Sequence, residues 1–275
     1  MNTLYTVDQA LKLKEYKFAH LLVEQAGNVL TLTLDRADKK NALNPVLFRE
    51  LAYALYYAHH SKSVWVVVIA AKGDVFCAGA DLKAFAGQTE ATVSTVPEPN
   101  GEVVIGDVFS GLAKPCIARV HAPVFAGGFL IICGCTHVVA ADTATFSLPE
   151  VKRGLFPFQV MYSMLQIMPP RQVLDFCMRA RTVNAAEGER IGLVSKAVAG
   201  DQLDIEVQAL VDDLLQYSPS GISLGLQAYN DLQSISGKDA QSHMKHMLGL
   251  ALQTADAAEG LQAFIEKRKP VWKGE

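Results

Sequence analysis

The sequence lacks a marked excess of either charge, since its 275 residues include 25 lysines and arginines and 28 aspartates and glutamates. Nucleic-acid-binding domains usually carry a surplus of basic residues, and acidic disordered tails carry a surplus of acidic ones. The sequence therefore disfavours both classes. Residues 1–17 lack the charged start, apolar stretch and cleavage site of a signal peptide. The apolar segments 64–71 and 116–135 are short or interrupted, which disfavours a membrane span. We therefore expect a soluble, cytoplasmic protein with no nucleic-acid or membrane partner.

The sequence also lacks the cysteine pattern of a disulfide framework or a metal site. An odd number of cysteines, five, lies in or beside apolar runs, which is typical of small buried hydrophobic residues in a reducing compartment. Cys133 and Cys135 do not form a CxxC motif. His243 and His246 are spaced i, i+3 on a predicted helix, but two ligands without a third are weak evidence. We expect no metal.

Strand-like and helix-like segments alternate over most of the chain. Apolar alternation on either side of residues 25–28 predicts a hairpin, and the β-branched run 64–70 predicts a strand buried on both faces. Alternating strands and helices indicate the α/β class with parallel pairing. After Gly200 the pattern is helix upon helix. This predicts a core of residues 1–200 and a helical C-terminal region of residues 201–275.

Three sharply punctuated segments stand out as candidate functional sites. Two of them join a strand to a helix through small residues, at Gly79-Ala80 and at Ala126-Gly127-Gly128, where a ligand can approach the backbone closely. The third places a lone acid, Glu150, after Pro149 and before Gly154-Leu155-Phe156-Pro157-Phe158. A carboxylate among apolar neighbours tends to have a raised pKa, as a general acid or base near neutral pH requires.

Together these segments resemble the crotonase superfamily, the enoyl-CoA hydratase/isomerase family, over residues 22–273. Asn41-Ala42-Leu43 resembles its CoA-binding loop, and segments 76–82 and 126–128 resemble its two oxyanion segments. Residues 146–157 resemble its catalytic-glutamate segment, and residues 259–268 its C-terminal signature. The resemblance implies a spiral of ββα turns with a helical C-terminal region, assembled as a trimer or a dimer of trimers.

The resemblance further implies roles for individual residues. The backbone amides of Ala80 and Gly127 are expected to hold the thioester oxygen as an enolate develops, with Glu150 as the acid/base. No cofactor is expected beyond the CoA moiety of the substrate, an acyl-CoA thioester of fatty acid metabolism such as β-oxidation. The CoA-binding residues are expected to be Lys39, Lys40, Asn41, Ala42, Leu43, Ala78, Asp81, Leu82, Phe264 and Lys267.

One departure from the family pattern bears on the chemistry. Family hydratases carry a second acid at the position that Leu130 occupies, and several members with other chemistries carry an Asp where this chain has Phe158. One carboxylate suffices for a 1,3-proton shift, and Leu130, Phe156 and Phe158 are expected to form an acyl pocket that excludes water. The expected activity is Δ3-Δ2 enoyl-CoA isomerisation, in the isomerase/lyase range of the superfamily.

Two alternatives stay open. A hydratase or decarboxylase could recruit a second acid from Glu98, Glu102 or Asp107, in or after a loop at residues 87–100 that resembles a lid. Alternatively, the protein could bind acyl-CoA without turning it over, because Leu130 replaces one acid of the pair.

Overall fold

Strands and helices alternate up to residue 198, and helices alone follow in the regular structure beyond it. The computed structural model describes residues 4–88 and 92–275. The strands are β1 (Leu21–Ala26), β2 (Val29–Leu34), β3 (Val66–Ala71), β4 (Cys116–Val120), β5 (Val124–Phe125), β6 (His137–Ala141), β7 (Thr145–Ser147), β8 (Thr182–Asn184) and β9 (Lys196–Val198). The helices are α1 (Val7–Ala10), α2 (Pro45–His60), α3 (Leu82–Phe85), α4 (Ile105–Ser110), α5 (Phe129–Gly134), α6 (Phe158–Leu165), α7 (Pro170–Arg179), α8 (Ala185–Arg190), α9 (Leu203–Leu214), α10 (Pro219–Asp231), α11 (Gly237–Ala251) and α12 (Ala255–Glu266).

The main sheet has six strands in the order β1-β2-β3-β4-β6-β9, and β5, β7 and β8 form a smaller sheet. β1 and β2 pair antiparallel as the predicted hairpin, while the pairs from β2 to β9 in the main sheet are parallel. The predicted α/β class with parallel pairing is therefore confirmed. The last strand of the main sheet, β9, begins at Lys196.

β3 contributes to hydrophobic cores on both faces of the main sheet, as its β-branched run predicts, and all six of its residues are buried. Val67 and Ile69 belong to the larger core, which also includes α2 and α5. Val66 and Val68 belong to a smaller core with Val207 and neighbouring residues of α9. Because β3 is buried on both faces, its position in the core is fixed, and so is the point where the following turn begins.

The residues at the start of α2 explain why the helix begins there. The Asn44 side chain accepts a hydrogen bond from the Leu47 N–H at 2.8 Å, and Pro45 occupies the first helical position. Leu47 and Leu51 are fully buried against the sheet. The N-terminus of α2 therefore anchors the loop that precedes it, which carries residues 36–43.

The loop predicted at residues 87–100 is described only in part, because residues 89–91 lie outside the described ranges. Residues 92–100 contain no helix or strand. The Thr95 N–H donates to the Lys17 carbonyl at 2.9 Å, and the Asn100 N–H donates to the Leu4 carbonyl at 2.8 Å. These bonds attach the second half of the loop to the N-terminal segment.

Candidate active site

Glu150 opens a 3-10 turn, Glu150–Arg153, directly after β7 and Pro149. Gly154, at φ +73°, ends the turn in the left-handed region that glycine tolerates. Burial raises the pKa of the Glu150 carboxyl above its ordinary value. Among the described residues, its Oε2 atom is buried and has no hydrogen-bond partner. Such a carboxylate costs stability, so its presence is typical of a functional site.

The two glycine turns, Gly79-Ala80 and Ala126-Gly127-Gly128, lie against each other. A Cβ placed on Gly79, at φ +88°, would lie 2.5 Å from the Ala126 Cβ and 2.9 Å from the Gly127 nitrogen. A Cβ placed on Gly127 would lie 3.5 Å from the Ala80 nitrogen. A side chain on Gly79 would therefore collide with the second turn, and the short distances show that the structure brings the Ala80 and Gly127 amides, predicted from separate segments, to one place.

Leu43 connects the predicted CoA-binding loop to the first glycine turn. Its N–H donates to the Gly79 carbonyl at 2.7 Å, and its carbonyl accepts from the Asp81 N–H at 2.9 Å. These two bonds form an isolated parallel bridge between Leu43 and Ala80. Because Leu43 bonds to the residues on either side of Ala80, the bridge leaves the Ala80 N–H pointing away from Leu43.

Asn41 holds the shape of the same loop from within. The residue is fully buried, with φ +52°, and its Oδ1 accepts from the Arg36 N–H at 2.9 Å. Its Nδ2 donates to the carbonyls of Lys72 and Val75 at 2.8 and 2.9 Å. The side chain is thereby committed to backbone groups, whereas Lys39 and Lys40, which precede it, are exposed.

The remaining predicted CoA-binding residues fall into two groups. Ala78 donates its N–H to the Lys40 carbonyl at 3.0 Å, and Leu82, at the start of α3, is 62% exposed. Phe264 is 84% exposed on α12, and Lys267 ends that helix at φ +54°. α12 packs mainly on α10 and has no principal contact with the glycine turns or the Glu150 segment in the described chain. The structure therefore does not bring Phe264 and Lys267 to the other group.

A cavity of about 830 Å³ lies between α4, α5, α6 and α10. Leu130, which is 7% exposed, and Phe158 line it, while Phe156 contacts the Phe158 ring at a centroid distance of 5.2 Å. Ala80, Gly127 and Glu150 are not part of its wall. Two of the three predicted pocket residues thus line this cavity, and the third, Phe156, contacts one of them.

Among the three candidate second acids, Asp107 lies on the wall of this cavity. Glu98 forms an ion pair with Arg49, and Glu102 is exposed. The structure therefore separates Asp107 from the other two acids of the sequence prediction.

Cys177 is a neighbour of Glu150 that the sequence pattern did not indicate. Burial, with a smaller contribution from the Glu150 charge, raises the pKa of the Cys177 thiol to about 11. Cys133 in turn interacts with Cys177 and lines the cavity. Electrostatic interactions thus link Glu150 to Cys177 of α7, and Cys177 to Cys133 of α5, which lines the cavity. Only the three-dimensional arrangement could reveal this, because α5 and α7 are far apart in sequence.

Neither a metal centre nor a membrane span is found in the part of the chain that the structure describes. Residues 4–88 and 92–275 contain no group of three or more His, Cys, Asp or Glu residues that could hold a metal ion. No helix within these ranges has both the length and the apolar character needed to cross a bilayer.

An α/β core that brings two open backbone turns together, and that also holds a half-buried carboxylate with an unpartnered oxygen, has the features of an enzyme site. The sequence profile of the enoyl-CoA hydratase/isomerase family matches residues 24–275. The chain therefore belongs to this family, within the crotonase superfamily, and is an enzyme that acts on acyl-CoA.

Individual relatives agree with this assignment. Carnitinyl-CoA dehydratase of Escherichia coli (strain K12) is 32% identical over 255 residues, which cover 90% of this chain and 96% of that protein. A Mycobacterium bovis protein named "Probable enoyl-CoA hydratase echA8" is 31% identical over 257 residues, covering 91% and 96% of the two chains. The crystal structure of enoyl-CoA hydratase from Mycobacterium tuberculosis H37Rv superposes with a TM-score of 0.82, at 26% identity, over 94% of this chain and 100% of that one. The predicted crotonase-like fold is confirmed.

Proposed function

We propose that the protein catalyses Δ3-Δ2 enoyl-CoA isomerisation with Glu150 as its single acid/base. Glu150 removes a C2 proton from a 3-enoyl thioester and returns it at C4. The observation that carries the proposal is the buried, unpartnered Oε2 of Glu150, together with Leu130 at the position of the second acid of family hydratases. Leucine can neither move a proton nor hold the water that hydration consumes.

The Ala80 and Gly127 amides are proposed to form the oxyanion hole. Removing the C2 proton places negative charge on the thioester oxygen, and a preorganised donor at that point contributes about 3–4 kcal/mol to the transition state. The contact between the two turns supports this role, because a Cβ on Gly127 already falls 3.5 Å from the Ala80 nitrogen. Leu130, Phe156 and Phe158 are proposed to line the acyl side and to keep water from the dienolate.

The CoA moiety is proposed to bind along the loop that Asn41 shapes. Lys39 and Lys40 are exposed there and could pair with its phosphates, with residues 41–43, Ala78, Asp81 and Leu82 forming the backbone groove. Phe264 and Lys267 lie apart from this loop within one chain, so we propose that a neighbouring subunit supplies them.

The assembly proposed is a homotrimer or a dimer of trimers. Leu261, Phe264 and Ile265 on α12 are 62%, 84% and 73% exposed, an apolar surface of the kind that subunit contacts cover. Residues 201–275 are proposed as the region that makes these contacts, next to a core of residues 1–200. We also propose a cytoplasmic enzyme of fatty acid metabolism that needs no cofactor beyond CoA.

The test follows a 3-enoyl-CoA by absorbance as its double bond moves into conjugation with the thioester, and follows C2 proton exchange in deuterated water. Glu150→Gln should lower both rates by about 10²–10⁴-fold, because only the carboxylate carries the proton. Glu24→Gln, the same change on the exposed part of β1, is the matched control and should leave both rates unchanged. Full activity of Glu150→Gln would refute the proposal. Tight CoA binding without any exchange in the unmodified protein would instead favour a non-catalytic acyl-CoA binder.

The second candidate is hydration or decarboxylation with Asp107 as the additional acid, because Asp107 shares a cavity wall with Leu130. The names of the relatives, a hydratase and a dehydratase, also favour this chemistry. Hydration of crotonyl-CoA removes the conjugated absorbance that isomerisation creates, so the sign of the change separates the two. If Asp107→Asn abolishes loss of that absorbance, the hydratase interpretation replaces the isomerase one.

A further inference from the structure

The cavity beside Leu130 is large and is closed on one side by the C-terminal helical region. Its volume of about 830 Å³ lies near the top of the roughly 300–1,000 Å³ range of small-molecule sites. Leu226 and Tyr229 of α10 face α4, α5 and α6 across it. The Asn230 side chain bonds to the Ser110 carbonyl, which fixes α10 against α4.

The cavity wall includes residues that follow the second glycine turn and the Glu150 turn in the chain. Leu130 follows Gly127 by three residues, about one helical turn, and is the second residue of α5. On the other side, Phe158 follows the Glu150 turn and contacts Phe156. We propose that this cavity receives the acyl group and selects a bulky, ring-bearing one over a short or linear one. The inference rests on the proposed position of the thioester between Ala80 and Gly127.

The size of the cavity argues against a short acyl group. If each carbon takes about 30 Å³, the share of a water molecule in the liquid, a four-carbon acyl group fills on the order of 120 Å³ and a ten-carbon chain about 300 Å³. Either would leave most of the 830 Å³ without contacts. Unfilled space forfeits dispersion contacts with the wall, so a broad acyl group gains more on binding.

The aromatic side chains of the wall favour rings. Phe158, Tyr162 and Tyr229 all line the cavity, and they are 70%, 64% and 51% exposed. Large exposed aromatic surface of this kind usually marks a binding site. The flat rings of a ligand can pack edge-to-face or offset-stacked against these aromatic side chains. A flexible acyl chain gains less from such contacts.

The charges of the wall favour a neutral acyl group. The Lys114 ammonium, although on the wall, already donates to the Ser61 carbonyl at 2.6 Å and to the Val64 carbonyl. A ligand carboxylate would have to displace these carbonyls, and it would face Asp107, an acid on the same wall. Among its described lining residues, the cavity therefore offers no ready counter-charge to an anionic tail.

Gly106 provides a way to fill the cavity. It lies on the wall in α4, and a Cβ placed on it would point towards Ser163 of α6, 3.6 Å from its Oγ. An alanine makes only an ordinary contact there, whereas a leucine must occupy space between α4 and α6. A Cβ placed on Gly225 of α10 would have no atom within 4 Å, and Gly225 is not on the wall, so Gly225→Leu is the matched control.

The test measures dissociation constants by calorimetry for butyryl-CoA, decanoyl-CoA and 1-pyrenebutyryl-CoA, whose twenty acyl carbons fill about 600 Å³ on the same scale. The unmodified protein should bind the pyrenebutyryl ester about tenfold or more tightly than butyryl-CoA. Gly106→Leu should remove that preference, and Ser163→Phe, from the facing helix, should do the same if Gly106→Leu fails to fold. Gly106→Ala and Gly225→Leu should retain it.

Equal affinities for the three esters would overturn the inference. A second copy of the chain that covered this cavity would produce that result. Tighter binding of decanoyl-CoA than of the pyrenebutyryl ester would overturn the preference for rings. Retention of the preference in both filled variants would overturn the assignment of the cavity. Absence of C2 exchange in a 3-enoyl-CoA, with the preference intact, would refute the proposed acid/base role while supporting the cavity.

Discussion

Arg36 Nη1 lies 2.8 Å from Asp81 Oδ2, with the two side chains 3% and 16% exposed. The same guanidinium nitrogen donates to the Ala42 carbonyl at 3.1 Å. Asp81 Oδ1 accepts from the Ala84 N–H at 3.2 Å and so caps α3. This pair therefore joins the loop that shapes the proposed CoA site to the turn that carries the Ala80 amide.

Asp81→Asn should lower the free energy of unfolding by about 3–5 kcal/mol, because it removes the opposite charge from beside a buried guanidinium. Urea unfolding measures the loss. The control is Asp35→Asn, whose partner Lys72 lies 2.7 Å away with side chains 39% and 50% exposed. An exposed pair of this kind contributes less than about 1 kcal/mol. Equal losses in the two variants would show that burial does not strengthen the Arg36–Asp81 pair.

The proposed base predicts the pH dependence of C2 exchange. Burial raises the pKa of Glu150, and only the deprotonated form can accept a proton, so the rate should rise with pH through a midpoint above the ordinary glutamate value of 4.5. The Arg153 charge acts in the opposite direction and lowers this pKa. Arg153→Gln should therefore move the midpoint of kcat/KM upwards. A midpoint at or below the ordinary value would contradict burial as the cause.

A second carboxylate, Asp256, should govern acid stability. It is 1% exposed; burial opposes its charge, but hydrogen bonds outweigh this and leave its pKa lowered. The donors include the N–H groups of Lys273 at 2.8 Å and Gly274 at 3.1 Å, and the Ser220 hydroxyl at 2.9 Å. The carboxylate fastens residues 273–274 to the N-termini of α10 and α12.

Because the folded-state pKa of Asp256 is lowered, its contribution is complete above the unfolded value near 3.8 and is lost as pH falls through the folded value. Asp256→Asn should cost about 1.5–3 kcal/mol at pH 7, the scale of a hydrogen bond to a charged group. Unfolding at pH 7, 5 and 3 should show the difference between the two proteins shrinking towards pH 3. A difference that stays constant with pH would exclude the charge as its source.

Local patterns in the sequence predicted the elements but not the long-range pairings. Asn44-Pro45 specifies the start of α2 through its own side chain and ring, and the β-branched run of β3 specifies burial on both faces. By contrast, Arg36 and Asp81 are 45 residues apart, and nothing near either residue indicates the other. The contact of the two glycine turns became predictable only through the family resemblance, since each turn alone is an ordinary strand–helix connection.

The wall of the acyl cavity was the least predictable part of the candidate site. Leu130 and Phe158 were expected there, but Tyr229 also lines the cavity. Tyr229 lies on α10, in the separate helical region that follows the core. An apolar or aromatic residue on a surface helix is usually structural, so composition cannot identify such a wall. Its position depends on how α10 packs against α4, which is a property of the tertiary fold.

The replacement of the second acid by Leu130 can be tested by restoring the acid. Leu130→Glu places a carboxylate on the cavity wall, and burial should raise its pKa, which suits a group that must share or release a proton near neutral pH. If the missing acid is what prevents hydration, this variant should hydrate crotonyl-CoA about 10²-fold faster than Leu130→Gln, which has the same shape but cannot transfer a proton. The absorbance of the conjugated thioester measures the gain, and thermal unfolding checks that both variants are folded.

Isomerisation should slow in both, because either side chain admits water beside the dienolate. Equal hydration by Leu130→Glu and Leu130→Gln would mean that the chemistry is decided elsewhere on the wall, with Asp107 the next residue to replace.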